Sequence, residues 1–192
     1  MDGIDLQSSV LLIVDVQNGF VTEDTQHVVP AIINLAQEWS RAGGYTVYSR
    51  YFNYPGSSSE RLVNWHRLYG PPETDIANDL APYAERSTTL SKNTYSACTE
   101  DLWKLAQQHG WSDIVVCGID TDLCVLTTVF DAFDGGLTPW VITDCSASTG
   151  GQVAHEAGLI VMGRGIGETH LVTSDELFSG LVTTAGPPLS TG

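Results

Sequence analysis

Basic side chains are scarce in this 192-residue sequence: eight Lys and Arg stand against 23 Asp and Glu, a formal net charge of −15. After Lys104 the only Lys or Arg is Arg164. A field of that sign repels phosphate, so nucleic acid and anionic membrane are excluded as expected partners. Long apolar runs are missing as well. The run from Val10 to Val14 falls far short of the roughly 20 residues that cross a bilayer. The opening MDGIDLQSS lacks the basic start and small-residue cleavage site of a secretory signal, so a cytoplasmic location is expected. There is no CxxC pair among the cysteines at 98, 117, 124 and 145, which points to reduced thiols and not to a disulfide framework. There is no HExxH, since His155 opens HEAG, and no glycine-rich phosphate loop. GRGIG at 163–167 is expected to follow a helix instead of opening one.

What is present reads as one folded domain. A chain of this length can bury about 70% of its unfolded surface in one core, and 42% hydrophobic residues with 19 Gly and 8 Pro are ordinary for a globular protein. We assign residues 1–182 to a single domain and expect the small-residue and proline tail TTAGPPLSTG, 183–192, to be disordered. Short apolar runs alternate with helical patterns. Strands are expected at VLLIVDV, YTVYSRYF, STTLSK, DIVVCGI, PWVITDCSA and HLVTS. Between them lie helical patterns such as VVPAIINLAQEWSRAGG, TEDLWKLAQQHG, DLCVLTTVFDAFDGG and GQVAHEAGLIVM, with SDELFSGLV at the end. Six strands joined by crossovers imply an α/β, three-layer doubly wound fold with a six-stranded, mainly parallel sheet. The stretch from Asn53 to Arg86 is loop-rich, with helical candidates at ERLVNWHRLY and DIANDLAPYA, and is expected to cover the active edge of the sheet.

In such a sheet ligands bind beyond the carboxyl ends of the strands. Asp15 ends the first run, Lys92 follows a later strand, and Cys124 falls in the first turn of the helix after Gly118 and Ile119. Taken singly, each has a plain alternative. Cys124 is either a small buried hydrophobe or a nucleophile whose thiolate is favoured by helix N-terminal amides. Asp15 is either a turn cap or a buried carboxylate that needs a partner, and Lys92 is either a solvated loop residue or part of a site. Phe20 and Tyr95 follow the same strand ends and are candidate pocket residues, with Tyr51, Phe52, Trp65 and Trp140 behind them.

The stretches LLIVDVQNGF, SKNTYSAC and GIDTDLCV, in that order and spacing, resemble the isochorismatase-like cysteine hydrolase superfamily, which includes nicotinamidases and N-carbamoylsarcosine amidases. The resemblance runs from about Val10 to Leu177. It implies a triad of Asp15, Lys92 and Cys124, in which the carboxylate takes the thiol proton and the ammonium holds the carboxylate. It also implies an oxyanion hole built from the amides of Asp120 and Cys124, presented by a cis peptide between Ile119 and Asp120. Homodimers or homotetramers are common among such proteins, and a small-molecule substrate is expected.

The same resemblance frames the competing activities. The first is hydrolysis of a linear carbon–nitrogen bond in an amide, carbamoyl or ureido compound. The second is isochorismatase-type hydrolysis of a vinyl ether, which needs an acid and no thiol. A third is a non-catalytic binding module on the same fold. Nicotinamidases hold a divalent ion through an Asp-x-His motif after the second strand, but here that location reads Tyr51, Phe52, Asn53, with His66 the nearest histidine. No metal and no cofactor is therefore expected.

Overall fold

The computed structural model describes residues 4–182, so the tail at 183–192 lies outside the described residues. Six strands form one sheet: β2 (Ser9–Val14), β3 (Tyr45–Tyr51), β4 (Thr88–Lys92), β5 (Asp113–Ile119), β6 (Thr138–Ala147) and β7 (Leu171–Val172). Their spatial order is β4-β3-β2-β5-β6-β7. Every pairing is parallel. The order reverses at β2 and β5, which places a crevice above the carboxyl ends of those two strands. A separate parallel pair joins β1 (Ile4–Asp5) to β8 (Leu181–Val182). Sequence periodicity assigns 181–182 to the last helix instead, because a two-residue strand carries no repeat.

Helices cover both faces. On one side α1 (Val29–Arg41) sets Ile32, Leu35 and Trp39 against Leu11, Ile13 and Tyr48. Further along the chain come α2 (Ser58–Val63) and α3 (Ala81–Ala84), which belong to the covering segment. On the other side α4 (Glu100–His109), α5 (Leu126–Asp134) and α6 (Gly151–Ile166) bury Leu102, Val129 and Met162 against Val10, Leu12 and Val116. The chain closes with α7 (Ser174–Gly180), whose Leu177 returns to the first core. Both faces of β2 are thus buried, and its run SVLLIV is fully apolar after Ser9. Helix ends follow local chemistry. Thr99 caps α4 by accepting from the Leu102 amide and Gly110 closes it in the left-handed region. Thr173 and Glu176 form a capping box on α7. No helix among the described residues is long and apolar enough to cross a membrane.

The covering segment departs most from the periodicity. ERLVNWHRLY reads as one helix over 60–69, but α2 stops at Val63. Asn64 turns left-handed at φ 55 and gives its amide to Ser59, and Trp65 is drawn out of line to stack on Phe20 at 5.9 Å. DIANDLAPYA is likewise shorter than its pattern. Ile76 bridges Gln17 and the Ala77 amide donates to the Val16 carbonyl, so these residues extend the exit of β2 and only Ala81–Ala84 is helical. GRGIG does not follow α6; its first four residues form that helix's last turn, where Gly165 makes room for the Phe130 ring.

Candidate active site

Asp15, Lys92 and Cys124 come from three different elements and converge above the β2/β5 crevice. Asp15 is fully buried one residue past β2, with φ 50. A left-handed backbone at a residue other than glycine costs about 1–3 kcal/mol and persists only where its surroundings enforce it. Ser49 on β3 does so from both ends: its hydroxyl donates to Asp15 Oδ1 at 2.7 Å and accepts from the Asp15 amide at 3.2 Å. Lys92 Nζ lies 2.5 Å from Asp15 Oδ2 and donates to the carbonyls of Thr94 at 2.9 Å and Tyr95 at 2.8 Å. The ammonium's three donors are thereby used, and apart from that ammonium Oδ2 accepts no hydrogen bond.

Cys124 occupies a π-type turn, Thr121–Val125, that leads into α5. Its thiol is close enough to Asp15 and Lys92 for both charges to act on it. Burial, followed by the Asp15 charge, pushes the Cys124 thiol well above the ordinary range, while Lys92 pulls it down. Burial also disfavours the Lys92 ammonium, yet Asp15 and Cys124 outweigh it and hold its pKa above the ordinary value. Helix-end electrostatics alone favour a thiolate here. Desolvation, the larger effect, opposes this and favours the neutral thiol beside the Asp15 carboxylate.

Two glycines let backbone replace side chain where these elements meet. Gly118 on β5 has φ 128, and a methyl there would collide with the Val14 carbonyl, so β5 can approach β2 immediately before Asp15 only without a Cβ. On α6 a Cβ at Gly158 would stand 2.9 Å from Asp122 Cα and 3.1 Å from Thr121 C, so the helix rests directly on the turn that carries the thiol. The Ile119–Asp120 peptide is cis. Burial raises the Asp120 carboxyl pKa, opposed by hydrogen bonds from the Thr149 amide at 2.6 Å and its hydroxyl at 3.0 Å.

Above the thiol opens a cavity of about 390 Å³. Phe20 and Tyr95 line it, and so do Tyr51 and Trp65, which join Phe20 in an aromatic wall. Phe52 instead lies under the Arg50 guanidinium, and Trp140 packs at the opposite end of the sheet, donating to Asp113 and meeting the His170 ring. Arg67, Ser59, Val63, Leu123 and Thr149 also line it. None of these, nor Ser49, is singled out by sequence pattern. Nothing in the sequence marks Ser49, because β3, YTVYSRY, also carries the hydroxyls of Thr46 and three tyrosines.

The location after β3 does not suit a divalent ion. The Tyr51 hydroxyl is engaged by Ser59 at 3.1 Å, and the Asn53 amide is spent on Trp65, Tyr54 and Ser57. His66 is exposed and turned to Asn64 and Glu60. Among the described residues no three His, Cys, Asp or Glu side chains stand close enough to share a metal.

Comparison with known proteins follows this geometry. A family model described as the isochorismatase domain matches residues 9–172. The chain is 26% identical to nicotinamidase 3 of Arabidopsis thaliana, covering 88% of this chain and 86% of that protein. It is 24% identical to the ureidoacrylate amidohydrolase RutB of Serratia proteamaculans (strain 568), covering 80% and 75%. The structure of N-carbamoylsarcosine amidase from Thermoplasma acidophilum superimposes with a TM-score of 0.74 at 23% identity, over 87% of this chain and 96% of that one, a likeness of fold.

Proposed function

Because the chain belongs to the isochorismatase family, we propose that it hydrolyses a linear carbon–nitrogen bond in a small amide, carbamoyl or ureido compound through an acyl-enzyme on Cys124. The observation that carries this reading is the buried Asp15–Lys92 ion pair facing the Cys124 thiol at the floor of an aromatic cavity. Similarity to a nicotinamidase and an amidohydrolase supports it.

Each step uses a group already in position. The substrate carbonyl approaches Cys124 from the cavity, and the thiol proton passes to Asp15 Oδ2 as sulfur attacks carbon. The carbonyl oxygen becomes an oxyanion, for which the backbone amides of Asp120 and Cys124 are the assigned donors. Asp15 returns the proton to the leaving nitrogen as the C–N bond breaks. Water then enters, gives a proton to Asp15 and attacks the thioester, and that proton returns to sulfur as the acid leaves. Throughout, Lys92 holds the carboxylate and lowers the energy of the thiolate. A neutral resting thiol makes the base essential, since little thiolate exists without it. A vinyl-ether hydrolase has no use for this thiol.

In the same reading the enzyme works without a metal, and its substrate is not a pyridine held by one: the donors after β3 are committed elsewhere. The test is release of ammonia from a panel of carboxamides, carbamoyl and ureido compounds by purified protein, with elemental analysis of the same sample. Turnover on at least one compound that vanishes in Cys124→Ala is the expected result. Full activity in that variant, or stoichiometric zinc whose removal abolishes turnover, overturns the reading.

A further inference from the structure

The cavity above Cys124 is far larger than the bond it is proposed to break. A carboxamide group takes up about as much space as two waters, at about 30 Å³ each. The cavity measures about 390 Å³, within the roughly 300–1,000 Å³ of sites that take drug-sized ligands. Most of the space therefore belongs to the rest of the substrate. Its lining divides by exposure. Phe20, Tyr51 and Cys124 are buried and form the floor, while Val63, Tyr95 and Leu123 line the same cavity yet stand 61%, 44% and 41% exposed, which puts them at its mouth. Apolar side chains bared to water around the opening of a cavity mark a surface that a ligand covers.

The charged and hydroxyl groups around that space are engaged within the chain. The hydroxyls of Tyr51 and Ser59 meet at 3.1 Å, and those of Thr22 and Thr25 at 3.4 Å. Asp120 accepts from the amide and the hydroxyl of Thr149. The Arg67 guanidinium is turned to Glu73, with Nε at 3.0 Å and Nη2 at 2.9 Å from the carboxylate. What faces a ligand is neutral: the rings of Phe20 and Trp65, the Tyr95 phenol, and the side chains of Val63 and Leu123. A charged group entering here gives up its water without gaining a free counter-charge. An anion also meets the field of a chain with net charge −15. An apolar group, by contrast, gains from every methylene that leaves water.

We propose that the substrate is an uncharged amide carrying an apolar chain or ring, long enough to run from the aromatic wall out over Val63, Tyr95 and Leu123 at the mouth. The amide rests on the function proposed above and the apolar part on the cavity alone, so binding and turnover are read separately. Binding is measured by titration calorimetry of the Cys124→Ala protein with butanamide, hexanamide and octanamide, and with adipamic acid, the six-carbon amide that ends in a carboxylate. Affinity is expected to rise about fourfold per added methylene, equivalent to about 0.8 kcal/mol. Adipamic acid should bind at least about tenfold more weakly than hexanamide. Val63→Ser and Leu123→Ser, with circular dichroism to check folding, should flatten the rise between hexanamide and octanamide. Val153→Ser, at an 81% exposed position on α6 outside the cavity, should not. Affinity that does not grow with chain length, or adipamic acid bound as tightly as hexanamide, overturns the proposal. So does a rise indifferent to both rim variants, the result expected if the mouth receives a protein partner instead. Ammonia release by the native protein tests the reaction itself. Octanamide that binds tightly but is not hydrolysed sinks the reaction and leaves the cavity assignment standing, whereas turnover of short amides with no preference for long ones sinks the assignment alone.

Discussion

At the scale of single residues, Asp15 carries two duties that compete for its oxygens. Oδ1 is fixed by Ser49 and Oδ2 faces Lys92, so in the proposed reaction the thiol proton has one edge to go to. Asp15→Asn preserves shape and removes the base. We expect iodoacetamide to alkylate Cys124 faster than the other thiols at neutral pH, although burial raises all four. Cys98 and Cys145 are pushed up to about 12 and have no carboxylate within hydrogen-bonding reach to take the proton. In Asp15→Asn both this alkylation and turnover should fall by about 10²- to 10⁴-fold, the usual contribution of a positioned base. Mass-spectrometric rates at matched pH measure it, and an unchanged alkylation rate would remove Asp15 from the proton's path. The three residues proposed as the triad stood out in the sequence through the resemblance carried by LLIVDVQNGF, SKNTYSAC and GIDTDLCV together, since each residue taken singly had a plain alternative. Ser49 did not, because a hydroxyl inside a strand acquires meaning only when the register of β3 against β2 is known.

At the scale of elements, backbone contact does what side-chain patterns cannot announce. Gly158 looks like a helix-weakening residue in GQVAHEAGLIVM, yet its missing Cβ is what seats α6 on the turn that carries Cys124. Gly158→Ala improves helix propensity but pushes Asp122 and Thr121. We expect kcat to fall about tenfold or more from misplacement of the thiol, with KM little changed and helical content by circular dichroism preserved. The covering segment offers a second test. The Glu73 carboxylate accepts from the Leu68 amide at 2.7 Å and pairs with Arg67 at 2.9 Å. The Leu68 hydrogen bond, partly opposed by burial and aided by Arg67, lowers its pKa below the ordinary 4.5. A lowered folded value means this tether contributes fully above pH 4.5 and is lost as pH falls through the folded value. Trp65 fluorescence should therefore report loosening of the loop below about pH 4.5, and in Glu73→Gln that acid transition should disappear. A wild-type signal flat down to pH 3 would contradict the assignment. The long central strands and the capped helices were legible because period and caps agree. The covering segment was not, because left-handed turns at Asn64 and Leu68 and an aromatic cluster set its path.

At the scale of the whole molecule, the fold class followed from alternation alone, while the terminal β1/β8 pair was too short to leave a trace. The charge excess has its own consequence. Fifteen net negative charges on one domain repel each other in the folded state more than in the expanded chain. Raising salt from about 20 to about 500 mM screens that repulsion, so the melting temperature should rise by about 2–4 °C for each kcal/mol recovered. A scan at fixed pH checks it, and a melting temperature that falls with sodium chloride would show that specific ion pairs outweigh the net field. The cavity adds a longer view. Five of its lining residues, Tyr51, Ser59, Val63, Trp65 and Arg67, come from the single run 51–67, whereas the groups proposed to react are anchored on strand ends and the turn before α5. Diet and digestion are thus written largely in different passages of the gene: under the proposed reaction, a lineage can rewrite much of the first within seventeen codons and inherit the second untouched.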